Sequence, residues 1–190
     1  MEKEIITLHR IREPGDALLE RLVPLYEEAF PPAERRDAGQ LARVILARER
    51  MHFLAVLEGT GDETGNGGDL ADPVGLLVYW DFREFYYLEH VAVRASCRGR
   101  SIGTRVLETV ARQLPGTRLL EIEPPSDETR ARRVAWYERN GYRVLDKAYT
   151  QPPYDGRGPG CPLWIMGNER PAHLPAFLER VKREVYNENV

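Results

Sequence analysis

The chain has few cysteines, no long apolar run and no excess of positive charge, and each absence removes a class of protein. Its two cysteines, Cys97 and Cys161, stand in no metal-ligand spacing. Two cysteines cannot build a disulfide framework, so the cytoplasm is the expected compartment and no metal is expected. No apolar run approaches the ~20 residues that span a bilayer. The N-terminus, Met1-Glu2-Lys3-Glu4-Ile5-Ile6, is charged at once and has no apolar core of a secretory signal. No membrane partner is therefore expected. Lys and Arg number 27 against 30 Asp and Glu, a net charge of −3. Sequence-independent binding to nucleic acid rests on phosphate neutralisation, so nucleic acid is not an expected partner either. Against these absences stand 190 residues, of which 42% are apolar. That is enough for one domain with a real core, burying roughly 70% of its unfolded surface.

Hydrophobic period and turn chemistry give the order β-α-α-β-β-β-α-β-α-β-β-α. A strand is expected over 5–11 and a helix over 16–30, kinked at Pro24 and ended by Pro31-Pro32. A second helix spans 40–50, and strands follow at 51–58, 74–84 and 86–93. A helix over 101–114 stops at Pro115-Gly116, and a strand covers 118–123. Ser126-Asp127 caps a helix to about Asn140, and strands at 142–149 and 163–167 follow. Leu174, Phe177, Leu178, Val181 and Val185 mark an amphipathic terminal helix, covering either a sheet face or a partner chain, which would make a homodimer. Two segments read as loops: Gly59 to Pro73, with five glycines and four acids, and Gln151 to Pro162, with four prolines and three glycines. The pattern is α/β of the α+β type, a mixed sheet with helices packed on it. Its strand–helix–strand unit at 86–123 requires parallel neighbours.

The densest chemistry lies in Tyr86-Tyr87-Leu88-Glu89-His90-Val91-Ala92-Val93-Arg94-Ala95-Ser96-Cys97-Arg98-Gly99-Arg100-Ser101-Ile102-Gly103-Thr104. A strand ends at Val93, and a basic, glycine-bearing turn opens a helix. Unpaired N–H groups at the positive end of a helix form a pocket for phosphate. The turn is neither Gly-x4-Gly-Lys-Ser/Thr nor Gly-x-Gly-x-x-Gly, which weakens a general nucleotide-binding reading.

The turn resembles the Arg/Gln-x-x-Gly-x-Gly/Ala loop of the GNAT (GCN5-related) N-acetyltransferases, with Arg98 first, Gly103 last and Ser101 in place of the middle glycine. Val134 to Tyr142 (VAWYERNGY) resembles that family's second motif, with Tyr137 on its tyrosine and Arg130 where an Asn often stands. The resemblance covers about residues 5–168. It implies a GNAT-like domain at 1–168 with a mostly antiparallel sheet of about seven strands and helices on both faces. Residues 169–190 would form a helical extension packed on it. The implied function is acetyl-CoA-dependent N-acetyl transfer by direct attack of a primary amine on a small molecule or peptide. A non-catalytic acyl-CoA-binding regulator on the same fold is the alternative.

The resemblance also implies roles. Val91, Ala92 and Val93 would pair with the pantetheine arm, with an N–H near Val91 for the acetyl oxygen. Arg98, Gly99, Arg100, Ser101, Ile102, Gly103, Thr104 and Arg130 would hold the rest of the coenzyme. Tyr137 would protonate or orient the sulfur. For the base, Glu121 lies on an otherwise apolar strand, and Glu89 alternates with Tyr87 and Val91 on one face. His90 is expected on the opposite face as a core histidine. Phe30, Glu34, Tyr87 and Tyr154 are the expected acceptor wall.

Overall fold

The computed structural model describes residues 5–59, 71–154 and 156–186. Seven strands form one sheet: β1 (Ile5–Ile11), β2 (Met51–Gly59), β3 (Gly75–Asp81), β4 (Tyr86–Val93), β5 (Arg118–Ile122), β6 (Arg143–Gln151) and β7 (Cys161–Gly167). Their order across the sheet is β1-β2-β3-β4-β5-β7-β6. Every neighbouring pair is antiparallel except β4 and β5, which the helix between them makes parallel. The helices are α1 (Ala17–Ala29), α2 (Ala38–Ala47), α3 (Ile102–Gln113), α4 (Glu128–Arg139) and α5 (Leu174–Val185). The element order is the one read from the sequence. The α1 helix runs through Pro24 unbroken.

Both faces of the sheet are buried, and the period of two sorts the strand residues between them. Phe53, Ala55, Leu57, Leu76, Val78 and Trp80 pack with Leu18, Leu22 and Leu25 of α1, Leu41 of α2, and Leu178 and Val181 of α5. Leu54, Val56, Leu77 and Tyr79 point the other way, onto Ile102, Val106 and Val110 of α3 and Val134 and Tyr137 of α4. The terminal helix thus belongs to the same core as β2 and β3.

Boundaries moved where the sequence was ambiguous. The strand expected to reach 84 ends at Asp81, where Phe82 and Phe85 close a turn by a backbone hydrogen bond of 3.0 Å. The proline-rich loop is shorter than expected, because the ladder continues through Thr150–Pro162 and Gln151–Cys161. Pro162 lies past the last β5 pair, where β7 has a single neighbour and a missing N–H is tolerated. Residues 60–70 of the acidic loop lie outside the described residues. No described helix is long and apolar enough to cross a membrane.

Candidate active site

Strands β4 and β5 pair only from Tyr86 to Leu88, opposite Arg118 to Leu120. Beyond that point β5 pairs only with β7, and the edge of β4 has no strand partner on the β5 side. A cleft of about 1020 Å³ opens there. A β-bulge shapes it: Val78 pairs with His90 and Tyr79 with Leu88, so Glu89 is an extra residue with no partner on β3.

The bulge corrects the expected alternation along β4. Tyr87 and Glu89 do share a face, but Val91 turns to the opposite one and packs with the α3–α4 core. His90 does not oppose Glu89: its ring nitrogen lies 3.7 Å from the Glu89 carboxylate, and its ring packs on Phe30 at 4.2 Å. One inserted residue shifts the period, and no glycine or proline in the sequence announces it. Burial holds the imidazole neutral, with a pKa of about 4.

At the start of α3, Ser101 precedes the helix with a left-handed φ of 57° and makes no side-chain cap. The first backbone bond of the helix runs from Arg105 N–H to Ser101 C=O at 3.0 Å. The N–H groups of Ile102, Gly103 and Thr104 precede it and lie beside the cleft that these residues line. Gly99, at φ 80°, has open space where a Cβ would be, so conformation is what requires glycine there. At Gly103 the reason is packing, since a Cβ would meet the Trp136 ring at 3.0 Å. Trp136 Nε1 also donates to Thr104 Oγ1 at 3.2 Å, locking α4 to α3.

Arg98, Gly99, Ser101, Ile102, Gly103 and Thr104 line the cleft with Val91, Ala92 and Val93; Arg100 does not. Its guanidinium donates to Glu58 at 2.7 Å, and Arg105 pairs with the same carboxylate, so the turn is tied to the end of β2. Arg130 lines the cleft but holds Glu123 at 2.8 Å, Ser126 at 3.2 Å and Asp127. Tyr137 is buried against Trp136 and Tyr142 and faces the cleft. Burial raises its pKa, so the phenol stays protonated.

The expected acceptor wall also comes together: Phe30, Glu34, Tyr87 and Tyr154 all line the cleft. Glu34 is half-buried, and its carboxyl is pushed up by burial and by nearby Glu123.

The two candidate bases meet very different neighbours. Glu89 is fully buried, and both its oxygens are occupied. Arg36 Nη1 and the Tyr154 hydroxyl (2.7 Å) donate to Oε1, and Trp80 Nε1 donates to Oε2 at 2.7 Å. Burial works against its charge, yet Arg36 and the other donors hold its pKa below the usual carboxylate range. Glu121 sits on β5 among phenols. Tyr186 donates to Oε2 at 2.7 Å, and the Tyr149 and Tyr87 hydroxyls lie near enough to favour its charged form, while Oε1 is buried and makes no hydrogen bond of ordinary geometry. Burial pushes this carboxyl up to about 7, against the pull of the surrounding hydroxyls.

Arg36 and Tyr186 escaped the sequence reading. Arg36 sits in a polar turn that reads as solvated, yet it is 3% exposed and lies over the Tyr154 ring at 4.7 Å. Tyr186 follows a helix that no motif connects to the cleft.

The model of the acetyltransferase (GNAT) family matches residues 16–142. The chain belongs to the GNAT acetyltransferase family. No curated protein sequence matches it. Among solved structures, a GNAT-family protein from Bacteroides thetaiotaomicron is similar at 28% identity and a TM-score of 0.82, over 95% of this chain and 98% of that one. The ribosomal-protein-S18-alanine N-acetyltransferase of Escherichia coli shares the fold at 17% identity and a TM-score of 0.52, over 86% and 92%. Arabidopsis thaliana NAA60 in complex with acetyl-CoA does so at 16% identity and a TM-score of 0.54, over 85% and 97%. As a member of this family the chain is an acetyltransferase, and transfer from acetyl-CoA is the activity general to the family. The splayed edge of β4 and the row of N–H groups at α3 suit the pantetheine and pyrophosphate of that donor. Among the described residues, no group of three or more His, Cys, Asp or Glu is placed to hold a metal ion.

Proposed function

We propose that the chain acetylates a primary amine of a small molecule or peptide by direct attack on acetyl-CoA, with Glu121 as the base. The observation that carries this reading is the unpartnered, buried Oε1 of Glu121 at the point where β4 and β5 separate. An amine attacks only when neutral, and a lysine-like amine has a pKa near ~10.4 and an α-amine near ~7.7–8.0. The proton must leave before or during attack. A carboxyl poised near 7 is matched to accept it at neutral pH. The new C–N bond forms as the C–S bond breaks, and the departing sulfur takes a proton. Tyr137, kept protonated by burial, is the donor to that sulfur. An N–H of the unpaired β4 edge near Val91 serves the thioester oxygen. The whole of Glu89, by contrast, is occupied, so it is read as structural.

The test begins with free-thiol release from acetyl-CoA over a panel of amines. With an acceptor found, kcat/KM of the parent should rise with pH through about 7, as Glu121 loses its proton. Glu121→Gln should lose that limb and fall roughly 10²–10⁴-fold near neutrality, regaining part of the rate at high pH, where the amine is already neutral. A parent-like profile in Glu121→Gln would replace the carboxylate by a bulk-water route.

A further inference from the structure

We propose that Tyr186, at the end of the terminal helix, is a positioning residue of the acetyl transfer: its hydroxyl holds one oxygen of Glu121 and leaves the other, Oε1, as the one that takes up the proton. The proposal rests on reading Glu121 as the base. Tyr186 is buried, lines the cleft, and donates to Oε2 at 2.7 Å. Its oxygen also lies 2.7 Å from the Tyr87 hydroxyl. A phenol has one proton, and here the ionised carboxylate takes it. Tyr87 must then be the donor to Tyr186, giving a directed chain Tyr87→Tyr186→Glu121. Such chains polarise each link and strengthen the last one.

The ring is held from two further sides. Arg36 Nη2 donates to the carbonyl of Val185, the residue just before, at 2.5 Å, and the Tyr154 ring packs edge-on at 4.9 Å. The arginine that neutralises Glu89 therefore also fixes the residue that orients Glu121. The titratable and charged groups facing Glu121 are Tyr87 and Glu89 of β4, Tyr149 of β6, Cys161 of β7, and Tyr186. The phenols and the thiol are all pushed upward by burial and stay neutral. The Glu89 charge disfavours ionisation of Glu121, and the hydroxyls favour it. Removing the Tyr186 hydroxyl should therefore make Glu121 harder to ionise.

The experiment compares pH profiles of kcat/KM for the parent, Tyr186→Phe, Tyr87→Phe and Glu121→Gln with one acceptor from the amine panel. Tyr186→Phe should move the acid limb up by roughly one to two pH units and lower the neutral-pH rate roughly 5–50-fold, converging with the parent at high pH. Tyr87→Phe, which removes the donor to Tyr186 and a smaller hydroxyl contribution to Glu121 itself, should move the limb the same way by less. A rate lowered equally at every pH, or a limb that stays in place in both phenylalanine variants, overturns the positioning role. A limb lost in Glu121→Gln but unmoved in both variants sinks this proposal alone. A limb retained in Glu121→Gln sinks the base assignment beneath it.

Discussion

Around Glu89 the protein places a guanidinium, an indole N–H and a phenol; around Glu121 it places phenols. Both carboxylates face one cleft from adjacent strands, and both are buried. What separates them is the fixed positive charge of Arg36. Burial alone raises a carboxyl pKa, as at Glu121. Adding a paired cation and donors on both oxygens lowers it and occupies the acceptor that a base needs. Position on the sheet therefore made both glutamates candidates, and their partners shift the two carboxyls in opposite directions.

The largest effect should come from breaking the Glu89 nest. Arg36→Met removes the cation and leaves Glu89 buried without its charge partner, a change that costs about 3–5 kcal/mol. Chemical denaturation should show a loss of that order, with much less for Glu121→Gln. The pH dependence follows from the lowered Glu89 pKa. The pair stabilises the fold above the ordinary value of 4.5, and that stabilisation fades as pH falls through the lower folded value. Arg36→Met should lose this dependence. If Arg36→Met melts like the parent, the nest is not what holds α5 and the turn before α2 to β4.

A smaller effect is expected from Tyr154→Phe. It keeps the ring and removes one donor to Glu89, costing about 1–3 kcal/mol because that oxygen is buried. The midpoint assigned to Glu121 should stay in place, since Tyr154 donates to the other carboxylate. A midpoint that moves with Tyr154→Phe would mean the two carboxylates titrate as one coupled unit.

The parts of this comparison differ in how far the sequence discloses them. The turn at 98–104 and the helix end at 134–142 were legible because their chemistry is local. Glycine conformations, helix-start N–H groups and a tyrosine near a helix C-terminus all fall within a few residues. The carboxylates were legible as candidates, since an acid on an apolar strand stands out. Their difference was not. Glu89 meets Arg36 across 53 positions, and Glu121 meets Tyr186 across 65. Neither partner carries a local mark. The bulge at Glu89 was hidden for a related reason: its extra residue is defined by the register against β3, not by its own identity. Gly103 shows a milder case. The motif marks the position, while the reason for glycine lies outside it: the atoms at its would-be Cβ belong to Trp136 of α4.

The central claim, that one buried glutamate is poised for proton transfer and the other is locked, needs no acceptor to be tested. Carboxyl-carbon NMR titration of glutamate-labelled protein, parent beside Glu121→Gln, reads it directly. One resonance should titrate near 7 in the parent and be missing in Glu121→Gln. The Glu89 resonance should persist in both proteins and stay ionised to below 4.5. If Glu121 titrates in the ordinary carboxylate range, or if the resonance near 7 survives in Glu121→Gln, the assignment of the two roles is wrong.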